Sequence, residues 1–183
     1  MSITDDGLFP AEHRALRELH AAVRQLAGHW EKLSRRLGGV AALDDGAEAA
    51  RELLDELADR TAAHGLHGYP AAQAVGARGA GLRGAGDLLL ERNQALRGAV
   101  LDVQHVTTLL AYLAELAAGR GDAALAAWHR RWETRLREVE QAARAAAVAV
   151  ANDPDAAIEP ADSSAFGRAG HSLANGLGTL GEA

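Results

Sequence analysis

Between residues 16 and 37 the apolar side chains recur in strictly alternating steps of three and four: Leu16, Leu19, Val23, Leu26, Trp30, Leu33 and Leu37. A helix with that spacing carries one apolar seam, and the seam must be packed against other helices. Pro10 suits the first helical turn, where its missing N–H costs nothing, and Gly38-Gly39 stops the run. The pattern predicts a helix over 10–37, preceded by an N-terminal tail over 1–9.

Three further segments repeat the theme. A helix over 45–64 is expected, opened by Asp45 with Glu48 three residues on, and carrying Leu53, Leu54, Leu57 and Thr61 inward. A third, over 87–118, starts at an Asp87 cap and has a seam of Leu89, Leu96, Ala99, Val103, Val106, Leu110 and Leu113. Gly119-Arg120-Gly121 suits a tight antiparallel turn. A fourth helix, 122–152, follows it from an Asp122 cap and ends before Asp153-Pro154. Residues 65–86 form a Gly/Ala-rich connector, because glycine disfavours helix by up to ~1 kcal/mol relative to alanine. Residues 153–183 read as a linker and a weak C-terminal helix capped by Asp162. The expected fold is all-α, an up-down-up-down four-helix bundle over 10–152 with a short extra C-terminal helix.

Composition agrees and narrows the function. Much of the 48% hydrophobic content is alanine, the strongest helix former. With no cysteine, disulfides, thiolate metal sites and cysteine nucleophiles are excluded. A net charge of −6 argues against nucleic acid, whose binding rests on phosphate neutralisation. The acidic start Met1–Asp6 has no apolar core of a signal peptide, and no 18-residue apolar run is present, so a cytoplasmic protein without a membrane span is expected.

With alternating helix directions, Trp30, Tyr112, Trp128 and Trp132 fall in one layer at one end, and Ala142–Val150 builds a small-residue end. Either the layers simply match large with large and small with small, or the small end is a groove. Charge sorts as well. The first helix is rich in arginine and the second in Asp and Glu, so these two are expected to attract as neighbours, or the second to offer a basic partner an acidic face.

Chemical motifs are sparse. Gly79-Ala-Gly81-Leu-Arg-Gly84 spells G-x-G-x-x-G, but no strand precedes it, as a dinucleotide site requires. Dinuclear carboxylate bundles need Glu-x-x-His pairs; Asp102-x-x-His105 is the nearest approach and lies off the seam. His13 and His20 share a face of the first helix near the level of His64 and His67, and these four are the candidate metal ligands. No nucleophile or paired buried carboxylate is recognisable, and no cofactor is indicated.

In the tail, His171 is followed by Leu173 two residues on and Gly181 ten on. That stretch, 168–181, resembles the phosphoacceptor segment of histidine phosphotransfer domains, with Ala174 and Asn175 where those carry lysine and glycine. The resemblance implies a degenerate phosphotransfer-like protein with His171 as acceptor.

The reading that best fits the whole is a non-enzymatic binding or scaffolding protein that associates with itself or another protein. Val100, Leu101, Leu109 and Leu116 lie off the seam of the third helix and are the candidate homodimer interface. A small-ligand or metal-binding bundle is the alternative, and a phosphotransfer-like protein a further one.

Overall fold

The computed structural model describes residues 7–62, 64, 90–162 and 164. They form four long helices, α1 (Pro10–Arg36), α2 (Ala41–Ala62), α3 (Arg92–Arg120) and α4 (Ala123–Ala149). A single 3₁₀ turn, Val150–Asn152, leads into a short helix α5, Pro154–Ala157. The all-α four-helix bundle with a short C-terminal helix is therefore the fold. Among the described residues no helix is long and apolar enough to cross a membrane. The connector 65–86, the helix expected from Asp162 onward, His67, the Gly79–Gly84 motif and the His171 segment lie outside the described residues.

Two helix starts differ from expectation. α2 begins at Ala41 rather than 45, because the buried Ser34 hydroxyl accepts the Val40 N–H at 2.9 Å. Gly38 and Gly39, at φ 83° and 94°, turn the chain tightly enough to bring Val40 back to Ser34. α3 begins at Arg92 rather than 87. Residues 90 and 91 are extended and bridge the segment after α5: Arg92 N–H donates to Glu159 O at 2.8 Å, and Ala161 N–H to Leu90 O at 2.9 Å.

The helix directions are up-down-down-up, not alternating. Arg92, at the start of α3, donates to the Leu37 carbonyl at the end of α1. Arg120, at the end of α3, binds Glu12 at the start of α1. α3 therefore runs antiparallel to α1. The length of chain between Ala62 and Arg92 permits this direction. Roughly thirty residues reach well beyond the ~40 Å of a helix of this size, so nothing forces α3 to start where α2 ends. α1 packs beside α2 and α3, and α4 beside α3 and α2. Every neighbouring pair is antiparallel, which sets each helix dipole against its neighbours'. Two hairpins joined by one long crossover is a known connectivity of four-helix bundles.

The reversal also splits the expected aromatic layer. Trp30, Trp128 and Trp132 are all buried. However, Trp30 sits in the upper half against Gly46 and Val139, whereas Trp128 and Trp132 lie near the lower end beside Glu56. Tyr112 is not in the core at all but half exposed. The upper, small-residue end is closed by the chain itself, with Ala157 and Ala161 buried and Asn93 donating to the Ala157 carbonyl at 2.9 Å.

Candidate functional site

The helices differ in what they show to solvent. The exposed faces of α1 and α2 and the middle of α4 carry charges: Arg14, Arg17 and Arg24 on the first, Asp44, Asp55 and Asp59 on the second, Arg130, Arg137 and Glu138 on the last, whose final turns expose mainly alanine around Arg144 and Val148. α3 does not follow that rule. Its exposed stripe reads Arg97, Leu101, His105, Thr108, Tyr112, Glu115, and formal charge stands only at the two ends. The other charges of α3 turn into the bundle. Arg92 donates to the Leu37 carbonyl, Asp102 meets His29 Nδ1 at 2.7 Å, and Arg120 grips Glu12.

Leu101 is 66% exposed and Tyr112 48%. Eleven residues apart, they lie within roughly 20° of each other around the helix. Between them the Thr108 hydroxyl is satisfied by the Gln104 carbonyl at 2.8 Å, so it does not demand water. His105 reaches sideways to Glu18 of α1 at 3.3 Å. The stripe is thus a narrow, uncharged surface about three turns long.

Only part of the candidate interface lies on it. Leu101 does. Val100 and Leu109 are 7% and 8% exposed and belong to the core, and Leu116 is half buried. α3 meets α4 along its length and α1 on its other side, so its buried arc is wider than a single seam and takes in both residues. Sequence reasoning missed Tyr112 as a surface residue because it assigned that ring to an aromatic layer.

The lower end gathers most of the polar side chains inside the fold. Glu56 Oε2 of α2 accepts the indole N–H of Trp128 at 2.7 Å and of Trp132 at 3.1 Å, and binds Arg131 as well. Burial works to raise the Glu56 carboxyl, but the two indole bonds and the Arg131 charge and hydrogen bond outweigh it and hold it below its ordinary value. Arg135 stacks 5.0 Å from the Trp132 ring centroid and pairs with Glu52. The acids of α2 therefore face the arginines of α4. Toward α1 the corresponding contact is an exposed Arg51–Glu31 pair at 3.9 Å.

Beside this cluster, His129 has no exposed surface, and neither ring nitrogen has a hydrogen-bond partner. It sits edge-on to Trp128, centroids 4.9 Å apart. Burial pushes its pKa down to about 4; Asp122 opposes the shift and Arg60 adds to it. The imidazole is neutral near pH 7. Its position was readable in principle, since Leu125, His129, Trp132 and Leu136 recur in steps of four, three and four.

The candidate metal histidines do not assemble into a site among the described residues. No group of three or more His, Cys, Asp or Glu there is placed to hold an ion. His13 Nδ1 lies against the Arg17 guanidinium, a cation where a metal would need a lone pair. His20 is held below its ordinary pKa by burial and by Arg24. His64 lies at the end of α2, and His67 outside the described residues.

At the upper end, Lys32, Arg35 and Arg36 line an open concavity of about 260 Å³. Cations in the last turns of α1 complement its negative dipole end, which accounts for them without a ligand. Comparison of the chain with protein-family models, curated proteins and solved structures finds no match.

Proposed function

We propose that this is a non-enzymatic, cytoplasmic binding protein, a helical bundle that works by associating with another protein chain through the outer face of α3. One observation carries the reading. On α1 and α2 the exposed stripe is charged through its length, while on α3 four successive exposed positions, Leu101, His105, Thr108 and Tyr112, carry no formal charge and two of them are large, Leu101 and Tyr112; the uncharged end of α4 exposes alanines and the single large side chain Val148. A surface helix held only by its own bundle has no need of such a stripe, and exposed apolar side chains grouped on one face are a mark of contact surfaces. Tyrosine at its end suits an interface, where an amphipathic ring gives contact area at small entropic cost.

A photoreactive residue placed at Thr108, and separately at Asp55 on the outer face of α2, tests the proposal in the native host. A discrete covalent adduct to a protein chain is expected from position 108 and none from position 55. Absence of any adduct at 108 overturns it.

A further inference from the structure

Resting on that reading, we infer that the chain which covers the α3 stripe is a second copy of this protein, packed antiparallel about a twofold axis that passes between His105 and Thr108. The argument is in the order of residues along the stripe. Leu101, His105, Thr108, Tyr112 and Glu115 follow steps of four, three, four and three, the spacing with which two helices keep one seam in contact. The stripe also carries a sign: Arg97 at its beginning, Glu115 at its end, uncharged positions between.

Two copies can align this stripe in two ways. Side by side in the same direction, Arg97 meets Arg97 of the partner subunit and Glu115 meets the partner's Glu115, so both ends repel. Turned head to tail, every position finds a suitable mate in one register. Leu101 faces the partner's Tyr112, His105 faces the partner's Thr108, and Arg97 comes within one residue of the level of the partner's Glu115, a step its long side chain spans. A twofold axis repeats each contact, so the apolar pair and the ion pair both occur twice. The side chains at the ends are available for this. Arg97 is held by Asn93 of its own helix, with no acid engaged. Glu115 is 77% exposed and carries one surface pair to Arg130.

The contact is short, about three helical turns from each copy, which places it at the small end of specific interfaces and calls for association in the micromolar range. Opposite charges at the ends fix direction and register more than they add affinity. A protein of net charge −6 repels its own copies at long range, so salt is expected to favour the dimer until the end pairs are themselves screened.

The natural chain has no cysteine, which makes introduced thiols specific reporters. Leu101→Cys and Tyr112→Cys, each at an exposed position, are prepared separately and mildly oxidised alone and mixed. A disulfide-linked dimer is expected in the mixture and not from either variant alone. In the antiparallel register like positions lie roughly 16 Å apart along the axis, beyond the ~7 Å that a disulfide spans. Self-linking of each variant on its own, with no linkage between positions 101 and 112 in the mixture, would mean a parallel pair and overturn the arrangement. Wild-type protein that sediments as a monomer at tens of micromolar would overturn the second copy as partner. In that case a host adduct from position 108 to a different protein would leave the wider reading standing, and absence of any adduct would remove both.

Discussion

Glu12 and Arg120, 108 residues apart in the chain, meet through two hydrogen bonds of 3.1 Å, and the Glu12 side chain has no exposed surface. The pair ties the first turn of α1 to the last residue of α3. Glu12 Oε2 also accepts the Phe9 N–H at 3.4 Å, and Arg120 also reaches Asp122, the cap of α4. Removing one partner leaves the other charge buried and unpaired. Arg120→Met should therefore cost about 3–5 kcal/mol in urea unfolding, and the double variant Glu12→Leu, Arg120→Met should recover much of it. Equal losses in the single and double variants would show that the pair is not coupled.

Gly46 lies within α2, where alanine ordinarily stabilises by up to ~1 kcal/mol. Here the sign should reverse. A Cβ at Gly46 would run into the Trp30 ring and come within 2.9 Å of Val139 Cγ1. Overpacking of that kind costs about 1–3 kcal/mol, so Gly46→Ala should lower the melting temperature and shift Trp30 emission. A stabilised variant with unchanged fluorescence would contradict the packing described.

Glu56 joins α2 to α4 through three donors on one carboxylate oxygen. Glu56→Ala should cost about 1–2 kcal/mol, held down by the water that can reach a side chain 45% exposed. Glu56→Gln, which keeps an acceptor and drops the charge, should cost less. Tryptophan emission should move to the red in the alanine variant and stay nearly unchanged in the glutamine one.

His129 gives the protein a stability that depends on pH. Its pKa falls from 6.5 when unfolded to about 4 in the fold, so the unfolded chain takes up the proton first. The contribution is complete above pH 6.5 and is lost as pH falls toward 4, at most about 3 kcal/mol. The Glu56 and Asp122 carboxyls are held below their ordinary values of 4.5 and 3.8, so their contributions are complete above those values and fade as pH falls below them. His129→Leu should flatten the slope between pH 6.5 and 4 and leave the acid limb below it. It should not weaken the protein at pH 7.5, because it removes two buried nitrogens that have no partner. An unchanged slope would place the titrating group elsewhere.

What was legible in the sequence was whatever is written in a local period. All seven seam residues of α1, from Leu16 to Leu37, are buried, because a three-four alternation fixes one face of a helix wherever that helix goes. Direction was not legible. It depends on a chain long enough to return to either end, and no composition says which. Cross-helix roles were hidden for the same reason. Nothing local to Gly46 or Ser34 announces that the first leaves a slot for Trp30 or that the second accepts the Val40 N–H just before α2. On α3, Leu101 is exposed as its place off the seam implies, whereas the burial of Val100 and Leu109 depends on the neighbours on both sides of the helix.

The single crossover divides the fold into two kinds of contact, those within each hairpin and those between the hairpins. Pairing within α1–α2 and within α3–α4 joins residues close in the chain and can proceed early. The links between the hairpins, Glu12 to Arg120, His29 to Asp102 and Glu56 to Trp128, must await their docking. The chain between Ala62 and Arg92 keeps the two halves in one molecule during that step, which makes their docking intramolecular. Severing it would turn folding into a bimolecular reaction, with the same bundle assembled from two chains at a rate that rises with their concentration.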